Sequence, residues 1–300
     1  MKKIVIITGV TSFLGSSVAR HLISCGYIVF GIVRPKSKNL KKIKNIKSLK
    51  LIKIDFEKIK ISDLIDIKDK KIIELVENIR LKNSDISLIH FGWGNSFDRY
   101  NMAEQLKHID YSRKVYEFAK LMGVSRFIFA GSQAEYSDSP YGICKKEFAN
   151  YVEKDNEINK PKFIHLRIFS IYGPNDKETT LISSLIKLTG KNKDVSLSSC
   201  SYLWNYLFID DFTEIINRLI LCNANGVFDI ASDDTRILND YILEVYNVLN
   251  GKSKLNFGER PDNIEKFAIP NIKSLLEVIK GFKFTKFSDG IIKTLNTNKI

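Results

Sequence analysis

Short runs of β-branched and aromatic residues alternate along the chain with stretches in which apolar positions recur every three or four residues. That alternation predicts an α/β fold built on a doubly wound parallel sheet. The first run, Lys3-Ile4-Val5-Ile6-Ile7, has strand length and no polar alternation, the pattern of a strand buried on both faces. Further strands are predicted over Tyr27 to Val33, Leu49 to Ile54, Ile86 to Phe91, Phe127 to Ala130, Phe163 to Ile168 and Val227 to Ile230. Helices fall between them, over Ser16 to Ile23 with Val18, Ala19, Leu22 and Ile23 on one side, over His108 to Met122 and over Gly142 to Glu153. Beyond Gly173 the pattern leaves the sheet for a smaller lobe around Thr180 to Ser199, returns with Trp204 to Leu221 and leaves again after Ser232. The predicted organisation is therefore a sheet domain over residues 1–172, joined by roughly 203–232, and an interleaved smaller lobe over 173–202 and 233–300. Ligands of such sheets bind outside the carboxyl ends of the strands, which predicts a site in the cleft between the lobes.

Directly after the first strand come Thr8-Gly9-Val10-Thr11-Ser12-Phe13-Leu14-Gly15, and then the first helix. Strand, glycine turn and helix make a phosphate cradle, because backbone N–H groups and the positive helix end face the pyrophosphate while glycine permits close approach. Gly9 and Gly15 fit that role. Ser12 stands where a middle glycine is usual, so the dinucleotide fingerprint is one glycine short, and an ordinary strand-turn-helix is the plain alternative.

A second motif lies in Ser139-Pro140-Tyr141-Gly142-Ile143-Cys144-Lys145-Lys146, nine residues after Ser132. A tyrosine and a lysine four apart share one helical face, which places the Lys145 ammonium near the Tyr141 hydroxyl and favours its ionised form. A phenol so tuned can donate or accept a proton near neutral pH, and Ser132 can hydrogen-bond the same substrate oxygen. The spacing is common, and a packed tyrosine beside a solvated lysine is its bland reading.

Taken together these segments resemble the extended short-chain dehydrogenase/reductase family, which includes nucleotide-sugar epimerases, dehydratases and ketoreductases. The resemblance runs on through Ile86-Ser87-Leu88-Ile89-His90-Phe91-Gly92-Trp93, similar to the family's fourth strand, and Gly123 to Ser132, similar to the fifth strand ending in the catalytic serine. Leu166-Arg167-Ile168-Phe169-Ser170-Ile171-Tyr172-Gly173-Pro174 and Leu207-Phe208-Ile209-Asp210-Asp211 continue it, and Phe257 to Asp262 followed by Ile272 to Phe282 look like the tail over the sugar nucleotide. The resemblance implies a Rossmann domain with a substrate lobe, and catalysis by Ser132, Tyr141 and Lys145, with Tyr141 as proton donor, Lys145 lowering its pKa and holding the nicotinamide ribose, and Ser132 on the reacting oxygen.

The same resemblance assigns the cofactor to Gly9, Thr11, Ser12, Phe13, Leu14, Gly15, Asp55, Phe56, His90, Phe91, Gly92, Lys145 and Phe169. At the end of the second strand the chain reads Val33-Arg34-Pro35-Lys36-Ser37-Lys38, without the acid that accepts from the ribose hydroxyls in NAD-preferring members. Arg34 with Lys36 or Lys38 can pair a 2′-phosphate, so NADP(H) is the expected cofactor, with NAD(H) as the alternative; an Arg34 that merely stacks on adenine or caps the turn is the plain reading. His90 reads as a cofactor-wall residue rather than a general base, and no metal is expected. Substrate contacts are assigned to Trp93, Asn95, Gln133, Ser170 and Arg260, each of which alone is more often structural. Dehydratases of the family carry an Asp-Glu pair after the serine or threonine, whereas Ser132 is followed by Gln133-Ala134, neither of which titrates.

The expected activity is thus NADPH-dependent reduction of a keto group, commonly a 4-keto-6-deoxy sugar, on a nucleotide-linked hexose. A nucleotide-sugar epimerase with bound NAD and a non-catalytic NADP-binding sensor or scaffold are the alternatives. Three departures leave the sugar open: Trp204-Asn205 stands where many relatives place Arg-Asp, His108 replaces a common helix asparagine, and the Ser132 to Tyr141 loop is short.

Composition changes this picture little. A chain of 300 residues, 44% of them hydrophobic, buries a full core. The net charge of +13 lies largely between Lys36 and Lys71, but the Lys, Ile and Asn bias pervades the chain and no nucleic-acid motif stands out, so no nucleic-acid partner is expected. Cys25, Cys144, Cys200 and Cys222 lie far apart, which fits a reducing cytosol. The basic start runs straight into a strand rather than a signal peptide, and no membrane span is expected. Homodimerisation through the helices at His108 to Met122 and Gly142 to Glu153 follows by family analogy.

Overall fold

The apolar runs fold as strands and the periodic stretches as helices. The computed structural model describes residues 3–37, 39–58, 60, 85–93, 99–155, 160–222, 224–262 and 268–297. In chain order these form β1 (Lys3–Thr8), α1 (Phe13–Ser24), β2 (Ile28–Val33), β3 (Lys50–Lys53), β4 (Asp85–His90), α2 (Met102–Leu121), β5 (Arg126–Ala130), α3 (Pro140–Glu153), β6 (Lys162–Ile168) and β7 (Ser170–Tyr172). They continue with α4 (Leu181–Thr189), β8 (Val195–Ser196), β9 (Leu203–Phe208), α5 (Ile209–Leu221), β10 (Gly226–Ile230), β11 (Thr235–Ile237), α6 (Leu238–Val248), β12 (Leu255–Asn256), α7 (Lys273–Val278) and α8 (Phe287–Thr297). The chain divides into two units, one of residues 1–167 and 213–228, the other of 168–212 and 229–300.

The first unit carries a seven-stranded sheet in the order β10-β6-β5-β4-β1-β2-β3, and the pairings from β3 through β6 are parallel. Side chains alternate across it. Ile4 and Ile6 of β1 join a core with Val115, Tyr116, Phe118 and Ala119 of α2 and Phe148, Ala149 and Val152 of α3. Val5 and Ile7 point to the opposite face and are equally buried. Helix α1 packs on β1 and β2 and is joined to α5 by His21 and Glu214 (3.1 Å). Because β1 lies between β2 and β4, with Thr8 level with Ile32 on one side and His90 on the other, the direction of winding reverses there. That reversal opens a crevice at the carboxyl ends of β1 and β4.

Helix α2 starts at Met102, six positions before the predicted start. Asn101 caps it, its side-chain oxygen accepting from the Glu104 N–H (3.3 Å). The first turns bury Gln105 and Ser112 on the core face, and those polar positions hide the helical period from the sequence.

In the second unit β9 pairs with β7 in parallel and with β11 in antiparallel fashion, so Trp204 and Asn205, read as the start of the return to the main sheet, belong to a small sheet of their own. Asn205 is fully engaged there: its amide nitrogen donates to the Ser232 and Asp234 carbonyls and to Thr235, and its oxygen accepts from the Ser232 N–H (3.0 Å). Tyr172, Tyr206, Phe208, Tyr241 and Phe287 form the core of this unit, with Phe287 at 4.7 Å from Tyr241 and 4.9 Å from Tyr172 between ring centroids. Asp211 holds Thr285 through its backbone N–H (2.8 Å) and its hydroxyl (2.7 Å).

Candidate active site

Strand β1 delivers Gly9 to the crevice in a left-handed conformation (φ +67°) that suits glycine. A side chain there would lie 2.7 Å from the Gly92 nitrogen and 2.8 Å from the Phe91 carbonyl carbon, at the end of β4. The Ser12 N–H donates to the Gly9 carbonyl (2.9 Å), and the Ser12 hydroxyl accepts from the Gly15 N–H (3.0 Å) as the N-cap of α1. Ser12 therefore replaces the usual middle glycine with a cap. A Cβ on Gly15 would run into the Gly9 carbonyl oxygen, so helix and strand approach as closely as backbone allows. Thr11, Ser12, Phe13 and Leu14 line the turn half-buried.

Arg34 and Lys36 stand exposed past β2, where the Ser37 N–H closes a turn on the Arg34 carbonyl (3.0 Å). Arg34 and Asp55 both act electrostatically on the Tyr111 phenol, so they border one place. One Asp55 oxygen is buried with no hydrogen-bond partner, a vacant acceptor such as an adenine amine would fill. The Phe56 side chain is buried, edge-on to Tyr111 and Phe118. The glycine turn, the close backbone approach and the orphaned Asp55 acceptor all fit a dinucleotide.

His90 is locked by its neighbours. The Ser112 hydroxyl donates to the His108 carbonyl (2.7 Å), which leaves it accepting from His90 Nε2–H (2.9 Å). His90 Nδ1 must then accept from the Thr8 hydroxyl (2.6 Å), and Thr8 accepts from the Gly92 N–H (3.2 Å). Burial first and the Lys145 charge second push His90 down to about 3, so it stays neutral and ties β1, β4 and α2 together.

Ser132 and Tyr141 are brought together by a compact link. A 3₁₀ turn over Gln133–Tyr136 follows Ser132, and Ser139 caps α3 by accepting from the Gly142 N–H (3.2 Å), with Pro140 in the first turn. A Cβ on Gly142 would run into the Ala134 carbonyl, so the glycine after Tyr141 is what lets the turn rest on the helix. The short loop therefore suffices: the Tyr141 and Ser132 hydroxyls are hydrogen-bonded. Lys145, 3% exposed, donates to the Ala130 carbonyl at the end of β5. Its ammonium lies 4.5 Å from the Trp93 ring centroid, 5.0 Å from that of Phe129 and 5.4 Å from that of Tyr141.

Burial dominates the electrostatics of this pair. Burial raises Tyr141 to about 12, opposed by its bond to Ser132 and by the charge of Arg99. Burial also lowers Lys145 to about 7, with Glu135 pulling the other way. The i, i+4 spacing does put both side chains on one face, but the ammonium turns to the Ala130 carbonyl.

Trp93 packs against Tyr141 and Lys145. Its indole N–H donates to the buried Gln105 oxygen (2.9 Å), and its ring packs edge-on to Tyr141. Gln133 lies half-buried in the 3₁₀ turn, while Phe169, Ser170 and Arg260 belong to the second unit, Phe169 buried and Arg260 exposed. Asn95 and Lys38 lie outside the described residues. Sequence reasoning missed Arg99, Glu135 and His165. Of these only Glu135 left a sequence signal, the Ser-x-x-Glu capping-box spacing from Ser132, and that box is formed. Among the described residues no His, Cys, Asp and Glu cluster is arranged to hold a metal, and no helix is long and apolar enough to cross a membrane.

A doubly wound parallel sheet with a capped glycine turn at its switch point defines a Rossmann-type dinucleotide-binding architecture. The chain belongs to the NAD dependent epimerase/dehydratase family, whose model matches residues 5–231. It is 24% identical over 296 residues to the CDP-abequose synthase of Salmonella typhimurium, covering 92% of each chain. To the dTDP-6-deoxy-L-talose 4-dehydrogenase (NAD(+)) of Aggregatibacter actinomycetemcomitans it is 20% identical, over 86% of this chain and 94% of that one. Its fold matches that of UDP-glucose 4-epimerase from Thermotoga maritima, solved with UDP-glucose, at a TM-score of 0.80 and 17% identity, over 99% of this chain and 98% of that one.

Proposed function

We propose that this protein reduces a keto group, a 4-keto group of a 6-deoxyhexose in the first instance, on a nucleotide-linked sugar, with NADPH as the cofactor. The observation that carries this reading is the hydrogen bond that joins the Tyr141 and Ser132 hydroxyls in one place, with burial raising the phenol to about 12 so that it keeps its proton. A phenol so held is an acid waiting for an alkoxide. The bound nicotinamide would supply the hydride to the carbonyl carbon. Tyr141 passes its proton to the oxygen that gains charge, and Ser132 hydrogen-bonds that oxygen as the charge develops. Lys145 donates to Ala130 and keeps the end of β5, with Ser132 next but one, in place.

The dinucleotide would lie on Gly9, Ser12 and Gly15, with its adenine amine toward Asp55 and a 2′-phosphate toward Arg34 and Lys36. Nucleotide-linked sugars in the names of the relatives, CDP-abequose and dTDP-6-deoxy-L-talose, support the substrate class, and the second of these names a 4-dehydrogenase.

The test is NADPH oxidation by the purified protein with a 4-keto-6-deoxy nucleotide sugar. Turnover that falls at least a hundredfold in Tyr141→Phe supports the reading. A Tyr141→Phe variant as fast as the parent sinks it, and so does tight retention of NAD through purification with no NADPH consumption, which would make the chain an epimerase.

A further inference from the structure

Two buried groups of opposite charge bind the backbone at the end of β5. Lys145 donates to the Ala130 carbonyl. The Glu135 carboxylate accepts from the Ser132 N–H (2.8 Å) and from His165 Nε2–H on β6 (3.0 and 3.1 Å to its two oxygens). Glu135 is 8% exposed and His165 4%, so this carboxylate is held by protein groups rather than by water. Gly131 between them has no room for a side chain, since a Cβ would run into both the Glu135 oxygen and the His165 ring. His165 is itself fixed, its ring tilted against Phe129 and stacked near Phe163.

The geometry points to Glu135, anchored by His165, as a positioning residue that fixes Ser132 through its backbone and whose carboxylate is the counter-charge to the nearby Lys145 ammonium. This rests on the functional reading above for its kinetic consequence, but not for its electrostatic one.

The surroundings of Lys145 single out Glu135. From β4 it is faced by His90 and from α2 by His108, both of which burial pushes toward the neutral form. From its own helix it is faced by Tyr141, which stays a neutral phenol, and Arg99 beside Tyr141 adds only positive charge. On the Glu135 side, β6 also carries Arg167, whose guanidinium lies over Tyr136 at 4.7 Å. Glu135 is the carboxylate whose charge opposes the loss of the Lys145 proton.

Glu135→Gln keeps an acceptor for the Ser132 N–H and removes only the charge. In lysine-labelled protein the NMR titration of the Lys145 ammonium, assigned by its loss in Lys145→Met, is expected to move to lower pH by about one unit. Glu147→Gln, an exposed carboxylate change on the same helix, should leave that titration where it is. With a keto-sugar substrate the high-pH limb of kcat should move by the same amount, with KM within about twofold, and Glu135→Asp, which keeps the charge, should restore the limb. A folded Glu135→Gln with the Lys145 titration unmoved overturns the inference. Should that variant not fold, Glu135→Asp carries the test: with the charge kept, the Lys145 titration is expected to stay within about 0.3 unit of the parent, and a fall of about one unit there overturns it equally. A shifted titration in a protein that reduces no keto sugar would leave this inference standing and remove the functional reading instead.

Discussion

Arg99 and Tyr141 are joined twice: the Tyr141 N–H donates to the Arg99 carbonyl (3.0 Å), and the Arg99 guanidinium lies 5.5 Å from the centre of the Tyr141 ring. The positive charge that opposes the burial of the phenol is therefore Arg99, which enters the site from the segment before α2. In Arg99→Met the phenol becomes a weaker acid, and turnover is expected to fall about tenfold, the equivalent of one pKa unit, with KM little changed. Arg99→Lys should recover most of the loss. Steady-state kinetics on the three proteins decide it, and a methionine variant within twofold of the parent would remove Arg99 from the chemistry.

Lys145 predicts a stability change with a definite pH sign. In the unfolded chain a lysine keeps its proton up to 10.5, whereas burial brings folded Lys145 to about 7. Between those values the unfolded state binds the extra proton, so this group's penalty on folding is full below pH 7 and fades as pH rises toward 10.5. Lys145→Met should thus raise the urea midpoint most at pH 6 and progressively less at pH 8 and pH 10, while abolishing turnover. An equal effect on the midpoint at all three values would mean that the ammonium is not desolvated as described.

What the sequence makes legible follows from which forces act locally. Strands such as β1 and β4 announce themselves because burial on both faces demands continuous β-branched runs. The cradle and the Tyr141–Lys145 pair are readable because a turn or a helical face is fixed by spacing alone. The direction of the Lys145 ammonium is not so fixed: it depends on the Ala130 carbonyl, fifteen residues away in sequence, and on the Trp93 ring. For the same reason Arg99 and His165 are not legible in the sequence, since each acquires its meaning from a partner on another element. The substrate side is least legible, and Asn205 shows why: its hydrogen bonds to the loop around Ser232 to Thr235 make it a structural clasp, which no adjacent residue announces.

Gly142 offers a test of the short link between Ser132 and Tyr141. An added methyl would meet the Ala134 carbonyl, which is backbone and cannot swing away. Gly142→Ala is expected to destabilise the protein by about 1–3 kcal/mol, in the range of overpacked sites, and to lower kcat by separating the two hydroxyls. Thermal unfolding and turnover measured together check both effects. A fully stable, fully active Gly142→Ala would show that the 3₁₀ turn can shift without cost.

Cofactor choice turns on the end of β2. Arg34 is exposed, one residue past Val33, and no acid stands in the turn that follows to accept from ribose hydroxyls. A 2′-phosphate would gain a charge-assisted pair with Arg34, where a bare ribose gains none. Arg34→Asp reverses that balance by repelling the phosphate and offering an acceptor to the hydroxyls. The ratio of kcat/KM for NADPH to that for NADH should fall by at least tenfold, about 1.4 kcal/mol, with most of the change in the KM for NADPH. Lys36→Glu should move the ratio the same way by less, because its side chain lies two residues farther from the strand. If Arg34→Asp leaves the ratio unchanged, Arg34 acts on adenine or on the turn alone, and the preference must be set elsewhere in the cradle.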